Sequence, residues 1–346
     1  MTPRPSIRDV ARQAGVSHTA ASLALRGSPR VAARTRQRVE RAADRLGYQP
    51  HPVVRTLMAQ LRTLKVKPAS ETLGFITAWA TRDGWEQSPN HRRFLAGVKA
   101  RAEELGYRVE VFWLREPGMT ARRLTQILRS RGIRGLVLQS LPKAHGHLSL
   151  DWRHFAAVAK GLTIARPQLH RVISSHFEDM RLVGHHLKKL GYRRPGLVLD
   201  VELDARVDRA WLAAYLLYQQ DLPARDRVPA LILESGREAG RFARWFEQRR
   251  PEVVLFTGLP VPAWVRQLGL RVPRDVGLVH LDWSQECAPL AGIDADPETI
   301  GAAAVDLLVG QLHANELGIP DREKIVAVSG RWVPGASLCR QRPAAG

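Results

Sequence analysis

Cysteine is nearly absent: Cys287 and Cys339 are the only two among 346 residues. A disulfide framework is thereby excluded as a source of stability, and the usage suits a reducing compartment. Long apolar runs are missing too, and no uninterrupted stretch approaches the ~18–20 residues that span a bilayer, so no membrane partner is expected. The first residues contain no apolar core of a secretory signal, which makes the cytoplasm the expected location. Acidic residues are scarce, with 33 Asp and Glu against 53 Lys and Arg and a formal net charge of +20. The marks of catalysis are also lacking. No Gly-rich phosphate loop follows an apolar strand, and neither a nucleophile elbow nor an HExxH pair occurs. His145-Gly146-His147 and His185-His186 come without Cys or carboxylates at ligand spacing. Neither an enzyme, a metal site nor a cofactor is expected.

Hydrophobic residues make up 45% of the chain, enough for folded cores, and the length suits two or three units. The positive charge is unevenly placed. Residues 1–67 hold 14 Lys and Arg against three acids, Asp9, Glu40 and Asp44, so just over half the excess sits in about a fifth of the chain. A segment that neutralises phosphates has this composition, because each neutralised phosphate releases counterions.

The same segment has a helical pattern. In Ser6-Ile7-Arg8-Asp9-Val10-Ala11-Arg12-Gln13-Ala14, Ser6 can cap a helix with Asp9 three residues on, and Val10, Ala11 and Ala14 form an apolar stripe. Gly15 permits a tight turn and Ser17 can cap a second helix. Ala21, Ala24 and Leu25 face inward on that helix, which leaves His18, Thr19, Ser22 and Leu23 outward in its N-terminal half. Two helices about a tight turn place such residues against base edges in the major groove. A third amphipathic helix is expected over Thr35–Leu46, with Val39, Ala42, Ala43 and Leu46 inward and Gly47 stopping it. A short helical stretch should follow Pro50 and Pro52.

These residues resemble the N-terminal module of the lactose-repressor/galactose-repressor family of bacterial transcription regulators. The matching pieces are Asp9-Val10-Ala11, Ala14-Gly15-Val16-Ser17, Ser22, Gly27, Val31, Thr35-Arg36, Val39, Leu46-Gly47-Tyr48, Pro50 and Leu57. The resemblance implies DNA contacts from Ser6, Ser17, His18, Thr19, Ser22, Leu23, Arg26, Arg30, Thr35, His51, Val54 and Arg55. It implies that Leu57 wedges into the minor groove at the centre of a palindromic site. Leu23 stands where the family commonly has an Arg; it cannot donate to guanine and can only pack, for example on a thymine methyl. Ala32 stands where a capping Ser is common.

Beyond a polar, basic, Pro-containing linker, apolar strands alternate with helices from Leu73 to Val328, which implies parallel sheets covered on both faces. Here the resemblance is looser and implies a two-lobed domain similar to periplasmic sugar-binding proteins, with the chain crossing between lobes three times. It rests on Gly132–Leu138, on His186-Leu187 with Leu190–Arg194, on Leu268–Val279 and on Ile300-Gly301. The expected fold is an all-α helix-turn-helix headpiece with a hinge helix, followed by an α/β two-lobed domain of doubly wound parallel sheets. The boundaries are a headpiece at 1–49, hinge and linker at 50–72, and a ligand-binding and dimerisation domain at 73–346. Lobe 1 is expected over about 73–160 plus 297–328, and lobe 2 over about 170–292 plus 329–340.

The effector residues depart from the family. Its Asp-Asn pair opening the second lobe is Ser175-His176 here, and its Ala-Asn-Asp after the strand ending at Phe256 is Thr257-Gly258-Leu259. Its effector-binding Arg aligns with Asp208, while Arg206 lies two positions earlier. The resemblance leaves Trp79, Arg206, Asp208, Phe256 and Asp282 as effector contacts. It implies a repressor that binds a pseudo-palindromic double-stranded DNA operator as a homodimer, modulated by a small, sugar-like effector. Two other readings stay open on the sequence: a DNA binder without ligand control, constitutive or architectural, and a solute-binding protein on the same fold.

Overall fold

The computed structural model describes residues 7–25, 31–46, 48, 71–234 and 238–341. The chain divides into two compact units, residues 1–69 and 70–346.

In the first unit, helix α1 (Ile7–Ala14) turns through Gly15, at φ +60°, into α2 (His18–Ala24). A side chain at that φ would be strained, which is why glycine stands there. The Ser17 side chain caps α2, accepting from the Ala20 N–H at 3.1 Å. Helix α3 (Ala33–Leu46) starts two residues ahead of the sequence expectation. The Ala32 carbonyl accepts from the N–H groups of Thr35 and Arg36 and begins the helix without a side-chain cap. The core is thin and built largely of alanine: Val10, Ala14, Ala21, Val39 and Ala42 are almost fully buried. Small residues let the three helices approach closely, and Arg38 ties them. Its guanidinium donates to the carbonyls of Ala14 (2.9 Å) and Gly15 (3.2 Å) at the C-terminal end of α1. A cation there also meets the negative end of the helix dipole.

The second unit holds two six-stranded sheets. The first contains β1 (Thr72–Thr77), β2 (Arg108–Trp113), β3 (Gly135–Leu138), β5 (Ala156–Lys160), β7 (His170–Ser174) and β13 (Ile325–Val328), in the order β13-β7-β5-β3-β1-β2 and all parallel. The second contains β8 (Pro195–Asp200), β9 (Leu231–Leu233), β10 (Val253–Phe256), β11 (Gly277–His280), β12 (Ala291–Asp294) and β14 (Arg331–Val333), in the order β14-β12-β11-β10-β8-β9. Only β14 runs antiparallel, against β12. A small parallel pair, β4 (Gly146–His147) with β6 (Ile164–Arg166), flanks the first sheet's connections.

Helices cover both faces, as parallel sheets require. In β10 the side chains of Val253 and Leu255 enter one core, and those of Val254 and Phe256 the core on the opposite face. A run of four apolar residues is therefore what a doubly covered strand needs. The covering helices are α4 (Pro89–Glu104), α5 (Ala121–Ser130), α6 (His176–Leu190), α7 (Val201–Arg206), α8 (Ala210–Gln220), α9 (Ala239–Arg249), α10 (Val261–Gln267) and α11 (Pro297–Ala314). The chain passes between lobes three times: from β7 to α6, from β12 to α11, and from β13 to β14.

One boundary differs from expectation. Residues 170–174 form β7, hydrogen-bonded between β5 and β13 in the first lobe, so the second lobe begins with α6. The segment escapes a pattern reading because only Val172 and Ile173 of its five residues are apolar. His186, one of the adjacent histidines, stacks on Trp332 at 4.5 Å between centroids.

Candidate DNA interface and ligand cleft

The helix-turn-helix sits in the first unit as a basic, independently packed module. Burial of Ala21 and Ala24 fixes the inner face of α2. Positions 18, 19 and 22 lie together on the opposite face by helical spacing; their side chains lie outside the described residues. Leu23 is half-buried against the edge of the headpiece core, so part of it already packs within the module. Ser17 is exposed and occupied as the α2 cap, and Thr35 is half-buried in the first turn of α3. Ser6, Arg26, Arg30, His51, Val54, Arg55 and Leu57 lie outside the described residues, as does most of the proposed hinge.

Between the lobes of the second unit lies a cavity of about 580 Å³, well within the range of small-molecule sites. It opens at the C-terminal ends of β3, β5, β7, β8, β10 and β11, the place where doubly wound sheets bind ligands. From the first lobe come Asn90 and His91 on the first turn of α4, Ser140 after β3, and Lys160 at the end of β5. From the second come Leu199, Asp204 and Arg206, Trp211 on α8, Thr257 and Asp282. His176, at the start of α6, packs against Trp211 at 4.5 Å between centroids with the rings tilted by 35°.

Asn90 ties the two walls together. Its side-chain N–H donates to the Asp282 carboxylate at 2.6 Å. Arg93, one turn along α4, forms a two-pronged pair with Asp294 at 2.8 and 2.9 Å and reaches Glu298 at 2.7 Å. Arg92 pairs with Glu286 at 2.8 Å. The first two turns of α4 thus hold the second lobe through its loop after β11 and the end of β12.

Electrostatically the cleft is rich in unpaired cation. Among the described residues no carboxylate stands within ion-pair distance of Lys160 or Arg206. The Lys160 ammonium sits 4.5 Å from the Phe94 ring centroid, and the Arg206 guanidinium 5.7 Å from that of Trp79. The Arg206 Nε is buried without a hydrogen-bond partner. Burial pulls the Lys160 ammonium down to about 7; Arg206 pushes the same way and Asp282 opposes. Burial also lowers Arg206. Burial, Lys160 and Arg206 together drive His91 down to about 2, so its imidazole is neutral. Its Nδ1 therefore carries the hydrogen that meets the Trp85 carbonyl at 3.1 Å. His176 falls to about 4 through burial.

Of the five expected effector residues, Arg206 and Asp282 line the cavity, and Trp79 stands behind Arg206. Trp79 is fixed by its own indole N–H, which donates to the Ser140 carbonyl at 2.9 Å. Asp208 does not belong to the wall. Helix α7 ends at Arg206, and Asp208 and Arg209 both take positive φ, which leaves Asp208 exposed. Phe256 is also misplaced: it is buried in the core, edge-on to His280 at 5.0 Å, and Thr257 faces the cavity instead. Lys160, His91 and Asn90 were missed. The one available signal for Lys160 is a lone lysine that ends an apolar strand at the ligand-facing edge of a parallel sheet.

The family model described as bacterial regulatory proteins, lacI family, matches residues 6–51, and a periplasmic binding protein-like domain matches residues 185–338. The chain is 25% identical to the lactose operon repressor of Escherichia coli over 316 residues, covering 88% of this chain and 84% of that one. It is 28% identical to the transcriptional regulator MalR of Streptomyces coelicolor over 337 residues, covering 90% and 91%. Among solved structures, the transcriptional regulator CelR–cellobiose complex aligns with a TM-score of 0.58 at 21% identity, covering 96% of this chain and all of that chain. The lac repressor dimer bound to operator and the anti-inducer ONPF aligns with a TM-score of 0.55 at 21% identity, covering 97% of this chain and all of that one. At such identities the structural likeness speaks for the fold.

Proposed function

We propose that this chain is a sequence-specific DNA-binding transcription regulator of the lacI type, a repressor, controlled by a small molecule in the interlobe cleft. The observation that carries this reading is the pairing, in one chain, of a basic helix-turn-helix with a two-lobed domain enclosing a cavity. A catalyst has no need of the first, and a simple DNA binder has no need of the second.

On this reading residues 1–49 read the operator, 50–72 form the hinge, and 73–346 bind the effector and dimerise. One recognition helix covers one half-site, so a homodimer on a pseudo-palindromic site is the natural unit. His18, Thr19 and Ser22 meet base edges, Leu23 offers its exposed part to an apolar base edge, and Arg26, Arg30 and Arg55 meet phosphates. Leu57 enters the minor groove at the dyad. The lac repressor structure is of a dimer bound to operator and that of CelR is a cellobiose complex; the fold shared with both is what this reading draws on. An effector acts by binding one lobe arrangement better than another, since only differential affinity shifts an equilibrium. The Asn90–Asp282 and Arg92–Glu286 contacts bridge the lobes and report which arrangement is populated. Among the described residues no helix is long and apolar enough to cross a membrane.

Binding selection from a random double-stranded DNA pool, with the full-length protein near physiological salt, tests the reading. A two-fold symmetric motif is expected. Enrichment of no motif contradicts it.

A further inference from the structure

Resting on the regulator reading, we propose that the effector of this cleft is a small anion, with its carboxylate or phosphate seated at Lys160 and Arg206 and an apolar or ring-shaped body against the Trp211 wall. Three observations lead there.

The first is the pair of cations without partners. Lys160 and Arg206 line the same cavity from opposite lobes, each touches only an aromatic ring, and Arg206 leaves its Nε unsatisfied. They are close enough to act together on His91, which both depress. Buried cations are ordinarily paired, because leaving one without a counter-charge costs several kcal/mol on the order of an ion's desolvation. The buried Arg171 of the first lobe follows that habit and holds Glu323 at 2.7 Å. Lys160 and Arg206 are exceptions, and both stand in a cavity where a ligand can complete them.

The second is the state of the acids in the wall. Asp282 is exposed and already accepts from Asn90. Burial raises the Asp204 carboxyl above its ordinary value, opposed by the backbone N–H groups of Leu212 and Trp211 and by nearby Arg209. One Asp204 oxygen, Oδ1, is buried without a partner, and burial shifts that carboxyl towards its neutral form, so the acids of the wall answer neither cation with an ion pair. With Ser175-His176 at the entry to α6, the family's acid-amide pair is gone, and the imidazole there is neutral and packed at a tilt against Trp211.

The third is the remaining surface. Leu199, Leu281 and Trp211 line the cavity, and Phe177 and Leu217 line it while remaining largely exposed. Such a surface suits a ring or short apolar body rather than a fully hydroxylated one. An anion bridging Lys160 and Arg206 also contacts both lobes at once, which gives it the differential affinity that a switch requires.

The test is thermal denaturation of the full-length protein at constant ionic strength with four probes at millimolar concentration: glucose, gluconate, glucose 6-phosphate and 4-hydroxybenzoate. At least one anion is expected to raise the melting temperature while neutral glucose does not. Which anion succeeds separates a carboxylate from a phosphate and a hydroxylated body from a ring. Lys160→Gln and Arg206→Gln, as separate variants checked for folding by circular dichroism, should each weaken that anion about tenfold or more, the loss expected for one charge-assisted hydrogen bond. The proposal is overturned if glucose stabilises as well as the anions do, if no anion shifts the melt, or if both variants bind the anion like the parent. Operator affinity of the same preparation, measured without any probe, reports separately on the regulator reading. A protein that binds its operator and responds only to glucose would sink the anion and keep the regulator.

Discussion

Replacing Lys160 with methionine should stabilise the unliganded protein, and the effect should fade as pH rises. The ordinary lysine value is 10.5, and in the folded cleft it is about 7. Between those values the unfolded chain carries a proton that the folded chain lacks, so stability attributable to Lys160 rises with pH from 7 towards 10.5. Below 7 the ammonium is charged in both states and its burial penalty is felt in full. At 1.36 kcal/mol per pH unit the gap sets a ceiling of about 5 kcal/mol. Water in the cavity and relaxation of Arg206 reduce this, and the substitution loses a cation–π contact with Phe94 worth up to ~2 kcal/mol. Methionine keeps the stem and offers sulfur to the ring, so a net gain of about 2 kcal/mol is expected at pH 6.5. For a domain of this size that is a rise of roughly 4–8 °C in melting temperature. Calorimetry of parent and variant at pH 6.5, 8 and 9.5 measures it, and taking the difference removes the titrating groups that do not interact with Lys160. A variant that melts lower at pH 6.5, or a difference that does not shrink with pH, would show that Lys160 is a structural residue.

Gly97 and Gly301 bring α4 and α11 into backbone contact, and a Cβ on Gly97 would lie 2.1 Å from the Glu298 carbonyl oxygen. Gly97→Ala should therefore destabilise by about 1–3 kcal/mol despite its helix propensity, whereas Gly310→Ala on α11, with nothing within 4 Å, should be neutral or stabilising by up to ~1 kcal/mol; thermal denaturation of both separates packing from propensity. Ser17→Ala removes the α2 cap and should cost the headpiece about 1 kcal/mol, read as faster amide exchange over residues 18–24 and weaker operator binding; unchanged exchange would mean that the cap is idle. Asn90→Ala breaks a bond to an exposed carboxylate, so about 1 kcal/mol is lost and the lobes separate several-fold more often. Hydrogen exchange in residues 199–207 and 281–283 should rise, and exchange confined to parental rates would show that Asn90 does not hold the lobes.

The headpiece was legible because its signals are local and agree with one another: a glycine at the turn, a serine at the cap and an alanine-valine stripe at helical spacing. Buried strands such as Val253–Phe256 were legible because a doubly covered strand must be apolar throughout. Strand β7 was not, since its ends are polar and its membership is decided by neighbours far away in sequence. The cleft was half legible. Arg206 and Asp282 were reached through their neighbours in the chain, but Asp208 was lost because two consecutive left-handed residues turn it to solvent. Phe256 was lost because a shift of one residue along a strand exchanges the core for the cavity. Lys160 became visible only when the fold placed it opposite Arg206. A wall assembled from strand ends of two lobes has no spacing rule to reveal it.

The central claim, a regulator that distinguishes its operator from other DNA, is tested most directly by one ratio. The affinity of the full-length protein for its selected site is measured against a scrambled duplex of the same length, from 50 to 200 mM salt. Both affinities should fall with salt because phosphate contacts contribute to both, while the ratio stays at roughly a thousandfold or more. A ratio near one across the range would leave a charge-driven DNA binder, and the account of this chain as a sequence-specific regulator would be wrong.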